Sequence, residues 1–275
     1  MPHFTTSDGI DLFYTDEGEG LPLLCLAGLS RDHRDFDFVA PHLDRVRLIR
    51  MDYRGRGQSA HADPATYTIP REGQDALELL DHLNIDKAAV LGTSRGGLIA
   101  MALAATAKER LSGVALNDVG PVIGAKGLKA IDGYLGRDPV WSSLDEAAAK
   151  RPKVMEGAGF FNVPASRWRG EVERLFVETP EGLDLPYDRR LRDAVLANGA
   201  QPAPDLWPLF DALAGLPLCT IRGANSDLLE TDTFEEMKRR RPDMVATEVP
   251  DRGHIPFLDE AESLDALGRW LNMIR

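Results

Sequence analysis

Two cysteines in 275 residues, Cys25 and Cys219, both lie inside apolar runs (LPLLCLAG and LPLCTIRG). They are too few for a disulfide framework or a structural zinc site and read as small core residues. Long apolar runs are missing as well: none approaches the ~18 residues of a membrane-crossing helix. The start, MPHFTTSDGIDLFY, has no basic stretch ahead of an apolar one, so no signal peptide is expected and a cytoplasmic location is. Positive charge is in deficit: 32 Lys and Arg stand against 44 Asp and Glu, a net charge of −12. Such a surface repels phosphate backbones and anionic headgroups, so neither nucleic acid nor membrane is an expected partner, and a small-molecule substrate is. Internal repeats and low-complexity tracts are absent. No metal-ligand cluster is apparent and no cofactor is expected; Gly55-x-Gly57 lacks a following phosphate-binding pattern and reads as a turn. The sequence carries no indication of oligomeric state.

What is present is 43% hydrophobic and 28% charged residues, enough for a core without staples. Ser7-Asp8-Gly9 is a turn signal for an antiparallel hairpin. Leu21–Leu26, Arg47–Met51, Ala88–Leu91 and Val114–Leu116 are short apolar runs of the kind buried in a parallel sheet. Between them, Arg71–Leu83 sets Ala76, Leu77, Leu80 and Leu83 at helical spacing, and Ser94–Ala107 is apolar nearly all round. The alternation stops at Pro121. Residues 121–206 hold charged helices, Gly/Pro punctuation and large aromatics (among them Tyr134, Trp141, Phe160 and Trp168) with no strand–helix alternation. Alternation resumes with Trp207–Leu213, the strand Leu216–Ile221, the helix Thr233–Arg240, the strand Val245–Val249 and a last helix through Leu264, Leu267, Leu271 and Ile274. This predicts an α/β fold: a doubly wound, mostly parallel sheet from residues 1–120 and 207–275, with a helical insertion at 121–206. The insertion has 12 basic and 13 acidic residues, a net of −1, so −11 of the total −12 belongs to the core.

Gly92-Thr93-Ser94-Arg95-Gly96-Gly97 lies between a predicted strand and a predicted helix, a G-x-S-x-G pattern in strand–turn–helix context. Glycines two residues either side of the serine avoid collisions in a tight turn, and the helix N-terminus favours a developing negative charge at Ser94. A serine nucleophile needs a base, and His254, in Asp251-Arg252-Gly253-His254 between the last strand and last helix, sits on the same carboxyl-end rim of the sheet. The base in turn needs a carboxylate to fix its tautomer. Asp227 and Asp118 both follow strands in the order Ser…Asp…His. Asp227 is preferred, because its loop neighbours the histidine loop if the strands follow sequence order; the other carboxylate would then cap a helix or anchor the insertion. Backbone N–H groups of Arg95, directly after the serine, and of Leu29, in the loop Ala27-Gly28-Leu29-Ser30, are the expected oxyanion donors.

Together these residues resemble the α/β-hydrolase superfamily over nearly the whole chain. Asp52-Tyr53-Arg54-Gly55-Arg56-Gly57-Gln58-Ser59 is similar to its D-x-R-G-x-G-x-S turn, Gly253-His254-x-Pro256 to its histidine loop, and Asn225-Ser226-Asp227 to its acid loop. The resemblance implies that the insertion is a helical cap. This chain departs from many relatives in having Ala27-Gly28 where they have His-Gly. It has serine at the elbow, not the aspartate of the superfamily's haloalkane dehalogenases and epoxide hydrolases. Acyl transfer to water is therefore expected: hydrolysis of an ester or lactone of a small to medium, partly apolar compound. Carbon–carbon bond hydrolysis of a β-diketone-like compound, or a ligand-binding receptor on the same fold, are the alternatives.

Overall fold

Leu23, Leu24, Cys25 and Leu26 are consecutive and all fully buried, which a strand achieves only when both of its faces are covered. The computed structural model, which describes residues 2–199 and 204–275, builds an eight-stranded sheet around such runs. The strands are β1 (His3–Thr5), β2 (Asp11–Glu17), β3 (Leu21–Leu26), β4 (Val46–Met51), β5 (Ala88–Thr93) and β6 (Leu111–Asn117). A separate hairpin, β7 (Val177–Thr179) and β8 (Gly182–Asp184), comes next, before β9 (Leu218–Gly223) and β10 (Val245–Val249) complete the sheet. Its order is β1-β2-β4-β3-β5-β6-β9-β10, antiparallel at β2 and parallel from β4 onward.

The helices are α1 (Ile69–His82), α2 (Arg95–Thr106), α3 (Ala125–Tyr134), α4 (Leu144–Glu156), α5 (Ala165–Leu175), α6 (Leu191–Gly199), α7 (Trp207–Asp211), α8 (Thr231–Arg240) and α9 (Ala261–Ile274). The period-2 alternation of strand side chains divides the core into two layers. Leu24, Leu26, Val90 and Leu116 face α1, α2, α7 and α8. Leu23, Cys25, Leu91 and Ile221 face Phe36, Val39 and the Leu267–Leu271 side of α9. Both cysteines are free and sit in this second layer, where burial raises their thiols well above the usual range. No helix among the described residues is long and apolar enough to cross a membrane.

Three local differences from expectation have physical causes. Helix α1 starts at Ile69, because the Thr68 hydroxyl accepts from the Arg71 amide and proline is tolerated in a first turn. Strand β9 runs on to Gly223, two residues past its expected end. Residues 177–184 form a hairpin of two three-residue strands, too short for any periodic signal.

The segment between β6 and α7 holds α3 to α6; its residues 200–203 lie outside the described residues. It is fastened to the sheet domain by an apolar cluster, in which Leu135, Tyr187 and Leu191 pack with Ala62 and Tyr67, and by polar contacts. Glu171 meets Arg31 at 3.2 Å, Arg174 meets Asp37 at 3.0 Å, and the Tyr67 hydroxyl donates to Asp188 at 2.6 Å. Near the last of these, the Gly57 amide donates to the Pro186 carbonyl at 2.8 Å.

Candidate active site

Strand β5 ends at Thr93 and α2 begins at Arg95, which leaves a single residue, Ser94, to reverse the chain. Its backbone is held at φ 50° and ψ −110°, a conformation that serine adopts only where the surroundings impose it. The flanking glycines are what permit it. A Cβ on Gly96 would come within 2.0 Å of the Leu26 carbonyl oxygen, and one on Gly92 within 2.5 Å of the Gly96 backbone. The turn is therefore available only to the G-x-S-x-G pattern, and Ser94 stands at its tip at the N-terminus of α2.

The structure brings Ser94 and His254 together: the hydroxyl lies 3.0 Å from Nε2. On the other side of the ring, Nδ1 lies 2.7 Å from Oδ2 of a carboxylate. That carboxylate is Asp118. The preference for Asp227 is thus corrected, and the reason is visible in its own loop. The Ser226 hydroxyl donates to Asp118 Oδ2 at 2.6 Å and accepts from the amides of Leu228 and Leu229 at 3.2 and 3.1 Å. This turn presents Ser226, and not Asp227, to the site. The Asp227 carbonyl instead accepts from the Gly127 amide at 3.1 Å, at the start of the insertion. Asp118 Oδ1 accepts from the Gly223 amide at 2.8 Å, a bond that exists because β9 extends to Gly223. Asp118 is completely buried, and the three groups around its carboxylate, the Gly223 amide, the Ser226 hydroxyl and His254 Nδ1, offset its desolvation. With the carboxylate on Nδ1, that nitrogen carries the proton and Nε2 is free to accept from Ser94.

Leu29 and Arg95 lie on adjoining loops. Strand β3 pairs with β5, with Leu26 opposite Gly92, and the Gly96 amide donates to the Ala27 carbonyl at 3.1 Å. Neither the Leu29 nor the Arg95 amide has an acceptor among the described residues, so both remain available to a ligand oxygen. The Ala27-Gly28 departure is supported from below. The Ala27 carbonyl also accepts from the Tyr53 hydroxyl at 3.1 Å, and the Leu29 carbonyl from Arg56 Nε at 3.0 Å. Arg56 is fully buried; that burial lowers its guanidinium's pKa, while Glu72 at 2.9 Å opposes the fall. Glu72 also binds Arg95 Nε at 2.5 Å, which fixes the side chain next to the nucleophile.

Among the described residues, Asp32, His33 and Asp52 bring three metal-ligand atoms within 4.8 Å of one another. Their oxygens are already engaged: Asp32 holds Arg34 at 2.6 Å, and Asp52 accepts from the His33 and Gln58 amides at 2.6 and 2.9 Å. This is a turn network for the D-x-R-G segment. A separate cleft of about 350 Å³, lined by Phe38, Pro164, Arg167 and Phe257 among others, does not include Ser94 or Asp118.

A model of the alpha/beta hydrolase family matches residues 23–266. The chain is 34% identical over 256 residues to a 3-hydroxybutyrate-oligomer hydrolase of Cupriavidus necator, spanning 87% of this chain and 85% of that protein. An α/β hydrolase structure from Novosphingobium aromaticivorans superposes with a TM-score of 0.89 at 36% identity, covering 98% of this chain and 97% of that one. A putative hydrolase structure from Rickettsia typhi gives 0.84 at 26%, covering 96% and 92%. Sequence similarity and sheet topology agree: the chain belongs to the α/β hydrolase family and is a hydrolase.

Proposed function

We propose that this hydrolase cleaves carboxylic esters through an acyl-enzyme on Ser94, and that its substrates are short esters of hydroxycarboxylic acids. The observation that carries the reading is the linear relay Ser94–His254–Asp118, with contacts of 3.0 and 2.7 Å. In the first half-reaction the Ser94 hydroxyl attacks the ester carbonyl while His254 Nε2 takes its proton. The oxyanion is met by the Leu29 and Arg95 amides, preorganised by the adjoining loops. The tetrahedral intermediate collapses, and His254 returns the proton to the departing alcohol. Water then attacks the acyl-enzyme by the same route, releasing the carboxylic acid and restoring the serine. Asp118 stabilises the imidazolium formed in each half, with Ser226 and the Gly223 amide holding its carboxylate in place.

Similarity to the Cupriavidus enzyme supports both the ester bond and the hydroxyacid class. We take the insertion as a cap that shapes the pocket. It leaves the sheet directly after Asp118, on the rim that carries Ser94, and reaches back through Glu171 to Arg31, two residues beyond Leu29. A fluorophosphonate followed by peptide mass spectrometry tests the reading. The adduct is expected on Ser94, and Ser94→Ala should lower kcat by about 10⁶-fold. An adduct elsewhere, or near-normal turnover in the variant, contradicts it.

A further inference from the structure

Helix α4 carries an arginine on its inward side. Leu144, Ala147, Ala148, Arg151, Pro152 and Met155 fall on the less exposed face, while Asp145, Lys150, Lys153 and Val154 face solvent. An arginine in such a stripe ordinarily ends on a carboxylate or a carbonyl. Arg151 ends on neither. Its Nε is buried without a hydrogen-bond partner, and the side chain makes no ion pair with any described residue. Burial brings its guanidinium down to about 10, with Arg31 adding to the fall and Glu171 and Tyr134 opposing it.

The groups facing Arg151 indicate what it awaits. Arg31 is engaged by Asp35, at 2.6 Å from its Nε, and by Glu171 at 3.2 Å. Glu171 is thereby held by Arg31 and not by Arg151. Tyr134 is 51% exposed, and its hydroxyl lies beside the Ser30 side chain. Ser30 directly follows Leu29, so the phenol lies beside the loop that carries the amide assigned to the oxyanion.

We propose that Arg151, together with the Tyr134 hydroxyl, is the binding subsite for a carboxylate on the substrate, and that it makes the enzyme selective for esters carrying a free acid group. The proposal rests on the ester-hydrolase reading above. A carboxylate offers two oxygens to the guanidinium fork in an enclosed site and accepts from the phenol as well. A neutral ester leaves the buried Nε without a partner. The competing explanation is electrostatic: Arg31 alone faces two carboxylates, and Arg151 would balance the second from a distance.

The linear dimer of 3-hydroxybutyrate and its methyl ester differ by one charge and separate these accounts. The wild-type kcat/KM ratio of acid to methyl ester should exceed about tenfold, as a charge-assisted hydrogen-bonded pair provides. Arg151→Gln should lower that ratio at least tenfold, Arg151→Lys should retain part of it, and Tyr134→Phe should lower it less. A ratio unchanged in Arg151→Gln, with a lowered melting temperature, establishes the counter-charge role and overturns the proposal. If Arg151→Gln does not fold, an unchanged ratio in Arg151→Lys and Tyr134→Phe together overturns it equally. Calorimetric titration of Ser94→Ala with the same two compounds gives a readout independent of turnover. Tighter binding of the acid is expected there and should vanish in the Ser94→Ala, Arg151→Gln protein; equal binding of acid and ester contradicts the subsite. Acid-selective binding without turnover by the wild type would remove the ester-hydrolase reading and leave the carboxylate subsite standing.

Discussion

The sheet domain and the insertion differ in how much of their structure rests on close apolar packing. The sheet buries Leu23, Leu24, Leu26, Val90 and Ile221 completely, on both faces, and its strength is the apolar area removed from water. In the insertion, α4 buries only Ala147 completely, and the seam to the sheet domain joins one small apolar cluster, Leu135 and Leu191 with Tyr67, to arginine pairs: Arg31 to Glu171, Arg174 to Asp37, Arg167 to Asp259. Close packing has few alternatives, whereas charged pairs at partly exposed positions contribute modestly and tolerate exchange. The difference assigns distinct tasks. Ser94, Asp118 and His254 hang from strand ends, where packing fixes their separations. Arg151 and Tyr134 belong to the region whose contacts can change without unfolding the sheet.

If that division is right, stability should reside in the sheet. Leu24→Ala, at a fully buried position, should cost about 3 kcal/mol in denaturant unfolding. Val154→Ala, 55% exposed on α4, should cost under about 0.5 kcal/mol. Comparable costs at the two positions would erase the distinction. A smaller effect should appear where the sheet's loops hold the site. Ser226→Ala removes a hydrogen bond to Asp118 and should reduce kcat by about tenfold with KM little changed. A rise in KM alone would move Ser226 from positioning the acid to binding substrate.

The smallest effect concerns Asp188, the insertion residue that accepts from the Tyr67 hydroxyl. Burial raises the Asp188 carboxyl, but hydrogen bonds from Arg190 and Tyr67 outweigh it and bring the pKa to about 2. Because the folded value lies below the unfolded one of about 3.9, the stabilisation is complete above that pH and fades as pH falls toward the folded value. The melting-temperature gap between wild type and Asp188→Asn should therefore narrow between about pH 4 and pH 2. A gap that stays constant over this range would mean that the contact with Tyr67 does not depend on charge.

The same contrast governs what the sequence made legible. The elbow could be read because Gly92 and Gly96 answer a local collision, and a local collision leaves a local pattern. His254 followed from its station between the last strand and helix. The carboxylate was misread because Asp118 and Asp227 both follow strands. The deciding contacts, Ser226 to Asp118 and the Gly223 amide to Asp118, span 108 and 105 residues. The start of α1 was available in Thr68 and Pro70, a cap and a tolerated proline. The spacing of α4 puts Arg151 with Leu144, Ala147 and Met155, but its lack of a partner is a tertiary property that no spacing expresses.

Which carboxylate serves His254 is measured most directly by turnover of a chromogenic ester in Asp118→Asn and Asp227→Asn, side by side. With the wrong tautomer imposed on His254, Asp118→Asn should lose about 10⁴-fold in kcat, while Asp227→Asn stays within a few-fold of wild type. A large loss in Asp227→Asn with Asp118→Asn nearly intact would contradict the relay described here.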